Sequence, residues 1–259
     1  MNDVVNKLFS VAGKTAVVTG GTGGIGLMIA RGLVQAGVKT YIVGRNQARG
    51  EEVAAELGQY GECHFISGDL GSYEGIIAIT DAIKARENRL DILVNNAGLL
   101  TLESLDDVTL EGWDGPANIN MRAPFFMIQK LLPLLRASGT DEDPARVINV
   151  GSASAIENAN IEHFSYAASK AGVHHLSRSL AKYLAKDNIN VNVISPGVFP
   201  TDIGYEPPED VARAIMAAIP RGRLGMEEDI VGAVLYLCSR AGAFITAATL
   251  PVDGGKVFG

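Results

Sequence analysis

Tyr166 and Lys170 stand four residues apart. In a helix that spacing puts both side chains on one face, where they can act on one bound molecule. A free tyrosine titrates at about 10, too high for easy proton exchange near neutrality, so its phenolate needs a neighbouring cation, and Lys170 can supply one. The Tyr-x-x-x-Lys spacing alone is common by chance. Its weight comes from its place, just downstream of an apolar run that ends in Gly151-Ser152. Taken singly, Ser152 reads equally well as a turn serine at a strand end, and Asn120 as a local turn-former.

A second set of residues has the chemistry of a phosphate cradle. The run Thr19-Gly20-Gly21-Thr22-Gly23-Gly24-Ile25-Gly26 follows one apolar, β-branched stretch and opens a helical one. Glycines there let the backbone turn sharply and approach a pyrophosphate, whose charge the helix N-terminus favours. The next strand ends Val43-Gly44-Arg45-Asn46. An acid at that turn would bond the 2′-hydroxyl of an adenosine ribose and repel a 2′-phosphate; none is present, and Arg45 offers a planar, permanently charged fork. Arg45 therefore favours NADP over NAD, the alternative being a solvated surface arginine.

The elements that must position these groups alternate along the chain. Strands are expected at 15–19, 39–43, 64–67, 92–95, 147–150, 191–195 and 250–252. Between them 25–36, 47–59, 73–86, 122–136, 166–185 and 227–239 carry apolar residues at helical spacing. Seven strands and about six helices in that order predict a Rossmann-type, doubly wound α/β fold with a parallel sheet and helices on both faces. No repeat or low-complexity tract divides residues 1–259, so a single domain is expected, with a less regular segment over about 202–225 where prolines cluster.

Composition narrows the functional classes. The chain has 259 residues, 47% hydrophobic and 20% charged, enough for a sizeable core. A net charge of −7 argues against a nucleic-acid partner despite local bases such as Arg221 and Arg223. The absence of a signal pattern and of a long apolar run predicts a cytoplasmic protein with no membrane span. Cys63 and Cys238 lack paired spacing, and His64, His163, His174 and His175 form no ligand pattern, so no disulfide or metal site is expected.

Read together with Asp69-Leu70, Asn95-Asn96-Ala97-Gly98, Asn120, Pro196-Gly197 and Val252-Asp253-Gly254-Gly255, the loop and the Tyr-Lys pair give the chain a resemblance to the short-chain dehydrogenase/reductase family over essentially its whole length. The resemblance implies that Tyr166 is the general acid in carbonyl reduction, that Lys170 supports its phenolate and holds the nicotinamide ribose, that Ser152 hydrogen-bonds the substrate oxygen, and that Asn120 positions a water in a proton relay. It also implies cofactor contacts from Gly20, Thr22, Gly23 and Ile25 in the loop, from Asp69 and Leu70 at the adenine, from Asn96, Ala97 and Gly98 along the ribose, and from Pro196, Gly197, Phe199 and Thr201 around the nicotinamide amide. On local grounds alone, 95–98 could be a strand-exit turn and Asp69 a helix cap near Ser72. A homotetramer with two-fold contacts is the usual assembly, the helix beginning near Tyr166 and the C-terminal strand region lying at its interfaces.

Four departures from the family pattern stand out. Gly23 occupies a position that often carries a base in NADP-preferring relatives. Tyr166 lies one residue farther from Ser152 than usual, which lengthens the loop through 157–162. Pro116 falls where a helix normally leads to Asn120, and an interior proline costs a helix roughly 3 kcal/mol. Thr246-Ala247-Ala248 replaces a glycine-containing turn. Glu157, Asn158, Ile161, His163, Phe164 and the 202–222 segment are expected to line the substrate pocket. The nearer resemblance, carried by 60–63, 131–136 and 144–149, is to bacterial 3-oxoacyl-thioester reductases. It implies an NADPH-dependent ketoreductase; a dehydrogenase of a sugar acid, steroid or other secondary alcohol is the enzymatic alternative. A cofactor-binding redox sensor that does no chemistry is the alternative from another class, set against the presence of both Tyr166 and Lys170.

Overall fold

A computed structural model describes residues 2–157, 161–200 and 209–257. In chain order the elements are α1 (Asn2–Phe9), β1 (Thr15–Thr19), α2 (Gly24–Gln35), β2 (Lys39–Gly44), α3 (Gln47–Leu57), β3 (Cys63–Ser67), α4 (Tyr73–Lys84) and β4 (Ile92–Asn95). They continue with α5 (Leu110–Ala117), a π-helical turn (Asn118–Arg122), α6 (Ala123–Ser138), β5 (Ala145–Val150), α7 (Phe164–Leu184), β6 (Ile189–Pro196), α8 (Glu209–Ala217), α9 (Glu227–Cys238) and β7 (Thr249–Val252).

The seven strands form one sheet in the order β3-β2-β1-β4-β5-β6-β7, all neighbours parallel. Strands buried on both faces read as continuous apolar runs rather than alternating ones, and β1, β4 and β5 are buried throughout. One face packs α4, α6 and α7 through residues such as Ile79, Leu131 and Leu184; the other packs α2, α3 and α9 through Leu33, Leu57 and Val234. Strand order reverses between β1 and β4, and the crevice at their C-terminal ends is where such sheets bind ligands.

Every predicted strand and helix is present within a few residues of its expected bounds. Three helices were not expected: α1, α5 and α8. The 202–225 segment thus contains a helix, although 201–208 lie outside the described residues. In α5, Pro116 has no N–H for the Gly112 carbonyl one turn back. The Thr101 hydroxyl donates to that carbonyl instead, at 2.9 Å, so the proline costs the helix less than its type suggests. Thr109 caps the other end, its side chain accepting from Gly112 N.

Candidate active site

The glycine loop is stitched to the turn after β4. Thr19 Oγ1 accepts from the backbone N–H groups of Asn96 and Ala97, both at 3.0 Å, and Asn96 Nδ2 donates to the carbonyls of Thr19 and Gly20. Gly20 and Gly24 hold left-handed backbones, with φ of 66° and 52°. A methyl group at Gly26 would lie 2.2 Å from Gly20 O, so the start of α2 can close on the loop only because that position is bare. Gly23 is extended and faces open space. A bare, unobstructed backbone over a helix N-terminus fits a pyrophosphate. Thr19 and Asn95 were not singled out as positioning residues; Thr19 immediately before the glycines was the available signal.

At the end of β2, Thr22 packs directly over Gly44. Arg45 follows, exposed, with no carboxylate paired to it among the described residues. The Thr22 side chain and an uncommitted guanidinium at one turn fit an anion on the ribose. Asp69 accepts from Gly71 N at 2.9 Å, and Ser72 caps α4, so Asp69 does shape the local turn while its exposed carboxylate stays available to an adenine. Leu70 is buried in the core, leaving its backbone as the group nearest the cleft.

Ser152, Tyr166, Lys170 and Asn120 come together where β5, α7 and the π-turn meet. Lys170 is 4% exposed, and its Nζ donates to Val150 O at 2.7 Å and lies 5.8 Å from the centre of the Tyr166 ring. Ser152 Oγ accepts from Ser154 N at 3.1 Å, which orients the hydroxyl and leaves its proton free to donate. A methyl group at Gly98 would touch both Asn120 Oδ1, at 3.4 Å, and Lys170 Nζ, at 3.6 Å, so these two polar groups flank the Gly98 backbone.

The Asn120 side chain is held at both ends of its amide. Its Oδ1 accepts from Leu99 N at 2.8 Å, and its Nδ2 donates to Leu99 O and to Ser169 Oγ, each at 2.9 Å. Both Nδ2 protons are thus committed and Oδ1 keeps one lone pair, so the Asn120 main chain offers a relay contact a further route. The local backbone permits this: Ala123 N bonds back to Asn118 O in π fashion, and Pro124 brings no N–H to close an ordinary helical bond to the Asn120 carbonyl.

Burial sets the electrostatics. Desolvation lowers the Lys170 ammonium to about 8. It raises the Tyr166 phenol above its ordinary value, against the downward pull of the facing Ser152 hydroxyl. One turn beyond Lys170, His174 is lowered to about 4 by burial and by the Lys170 charge, so it stays neutral beneath the site. A network beneath the pair fixes α7 on the sheet: Asn95 Nδ2 donates to Asn149 Oδ1, and Asn149 Nδ2 donates to Ser177 Oγ, both at 2.8 Å.

The strand-end turn after β6 differs in part from expectation. Gly197 closes on Asp253 with no room for a side chain, as a tight backbone position should. Pro196 ends β6 beside it. Phe199, expected beside the nicotinamide amide, instead turns its ring into the core against Gly225, so only its backbone is available to a ligand. It also borders a cavity of about 470 Å³ lined by Val198, Ile219, Arg221 and Pro251. Thr201 and Asn158 lie outside the described residues.

Residues 20–256 match the family described as "Enoyl-(Acyl carrier protein) reductase". The chain is 43% identical to the rhamnolipids biosynthesis 3-oxoacyl-[acyl-carrier-protein] reductase of Pseudomonas aeruginosa, over 97% of this chain and 99% of that protein. It is 38% identical to the 2-dehydro-3-deoxy-D-gluconate 5-dehydrogenase of Escherichia coli, over 97% and 98%. The solved Pseudomonas aeruginosa RhlG/NADP active-site complex superposes with a TM-score of 0.93 at 42% identity, covering 97% of this chain and 99% of that one. Among the described residues no helix is long and apolar enough to cross a membrane. With this fold, this cradle and these relatives, the chain belongs to the short-chain dehydrogenase/reductase family of oxidoreductases.

Proposed function

We propose that the chain is an NADPH-dependent ketoreductase whose substrate is a 3-oxoacyl thioester, reduced to the 3-hydroxyacyl thioester. The observation that carries the reading is the meeting of Ser152, Tyr166 and buried Lys170 beside a glycine cradle whose neighbouring turn holds the unpaired Arg45. The acyl-thioester half draws on the relative from Pseudomonas aeruginosa, which is named for that substrate.

Gly20, Thr22, Gly23 and Ile25 would hold the pyrophosphate side of NADPH, Arg45 its 2′-phosphate, and Asp69, Leu70, Asn96, Ala97 and Gly98 the adenosine side. Lys170, Pro196 and Gly197, with the Phe199 backbone, would hold the nicotinamide end. Bound there, NADPH supplies the hydride. The chain's own residues handle the oxygen and the proton. The Ser152 hydroxyl donates to the ketone oxygen and polarises it. Tyr166 gives its phenolic proton to the same oxygen as negative charge builds on it. The Lys170 ammonium lowers the cost of the resulting phenolate. Asn120, by gripping Leu99 and Ser169, keeps the floor of the site in register.

Reduction of a sugar-acid ketone is the second reading, favoured by the 38% identity to the Escherichia coli dehydrogenase. Initial rates of NADPH and NADH oxidation, with a 3-oxoacyl thioester, a keto sugar acid and simple ketones, separate the two. Fast NADPH-dependent turnover of the thioester supports the first; turnover of the sugar acid alone supports the second. Cofactor binding without turnover of any of them would count against both readings and favour the non-catalytic sensor. The family resemblance implies a homotetramer, for which light scattering should report four copies.

A further inference from the structure

The four histidines occupy different situations. His64 pairs with Glu62, and His175 meets Arg178. His174 is buried with Nε2 shut off from solvent and unpartnered. His163 differs from all three. It is 6% exposed, yet neither ring nitrogen has a hydrogen-bond partner among the described residues.

Its placement is firm. The His163 N–H donates to Ile161 O and its carbonyl accepts from Ala167 N, each at 2.9 Å, so the residue is held between the rim loop and the first turn of α7. The ring packs edge-on against Tyr166, with centroids 5.7 Å apart and planes at 70°. The rim loop is tied across the cleft by Glu103 N donating to Glu162 O at 3.1 Å. Ile156 and Ile161, both exposed, are its apolar members. Burial also lowers the imidazole below its ordinary pKa, which keeps it uncharged near neutrality with one N–H to donate. A largely buried ring with neither nitrogen partnered among the described residues keeps hydrogen-bonding capacity for a ligand.

We infer that His163 is the specificity-determining residue of this site, its imidazole donating a hydrogen bond to a second carbonyl on the substrate while Tyr166 and Ser152 engage the first. This rests on the reading of the site as a ketoreductase of 3-oxoacyl compounds. In a 3-oxoacyl group a single methylene separates the two carbonyls. An imidazole in contact with the Tyr166 ring is placed to reach the neighbour of the oxygen that Tyr166 protonates. A site built to hydrogen-bond a substrate group discriminates strongly against analogues that lack it.

The test compares wild type with His163→Phe, which keeps the aromatic packing on Tyr166 but removes both nitrogens, and with His163→Gln, which restores a donor. Each is assayed on a 3-oxoacyl thioester, on a 3-oxo ester and on a simple ketone of similar length, with NADPH affinity measured in parallel. His163→Phe should raise KM for the 1,3-dicarbonyl substrates about tenfold or more, the loss of one hydrogen bond. It should leave kcat/KM for the simple ketone and NADPH affinity within about twofold, and His163→Gln should recover part of the loss. Equal losses on all substrates, or no loss on any, would overturn the inference. Wild-type turnover of the 3-oxo ester but not the thioester would strike the acyl-thioester reading while the His163 comparison on the ester still decides this one. Failure on both dicarbonyls would overturn the two together.

Discussion

At the residue scale, Lys170 is a buried cation whose charge is conditional. With its ammonium lowered to about 8, it is protonated below that pH and neutral above it. Carbonyl reduction needs both the phenolic proton and the cation that supports the phenolate, so kcat/KM should hold steady below pH 8 and fall as the pH rises through it. A flat profile to pH 10 would contradict the assignment. Linkage runs in the opposite sense for stability: the unfolded lysine binds its proton more tightly, so folding stability should rise with pH between about 8 and 10.4. Lys170→Met should lose that slope in denaturant titrations. Arg45 makes a separate, selective prediction. Arg45→Ala should raise KM for NADPH by about tenfold or more, the worth of a charged hydrogen bond, while barely changing NADH kinetics. The Tyr166–Lys170 pair and the glycine loop follow from residue type and spacing, whereas Ser152 follows only from the family resemblance. The inward turn of the Phe199 ring follows from neither, because nothing local to 196–201 shows that Gly225 lies bare against it.

At the element scale, the chain depends on long-range bonds that propensity does not register. The helix α5 was missed because Pro116 argued against it, and the group that satisfies Gly112 O is Thr101, eleven residues away. Arg146 on β5 is wholly buried, and its guanidinium donates to the carbonyls of Leu237 and Ser239 at the end of α9 and of Pro144 just before β5. Arg146→Met would leave these acceptors buried and unpaired, at about 1–3 kcal/mol each. The expected result is a melting temperature lower by roughly 5 °C or more, read in thermal denaturation. Before β7, Ala247 adopts φ of 63°, the left-handed conformation that a glycine would take without a steric penalty. Ala247→Gly should therefore stabilise the fold by about 1 kcal/mol, read as a higher denaturation midpoint.

At the scale of the whole molecule, the number and parallel direction of the strands followed from the alternation of apolar runs with helical periodicity, while their order in the sheet is seen only in the folded chain. One parallel sheet reversing between β1 and β4 brings the glycine loop, the Asn96-Ala97-Gly98 turn, Ser152 and the Tyr-Lys pair to one edge. What periodicity did not reveal is how the helices are fixed on that sheet. The Asn95–Asn149–Ser177 network joins residues 54 and 28 positions apart in sequence through side chains, and only the folded chain brings them together. The central claim is that this edge delivers a hydride to a carbonyl carbon while Tyr166 protonates its oxygen. The most direct measurement is a single turnover of the 3-oxoacyl thioester with NADPH carrying deuterium at the reactive face of its nicotinamide C4, for wild type and Tyr166→Phe. The expected result is deuterium on the carbinol carbon of the product, at a rate cut by a factor of about 10²–10⁴ in the variant while NADPH still binds. Product without deuterium, or a Tyr166→Phe variant as fast as wild type, would contradict it.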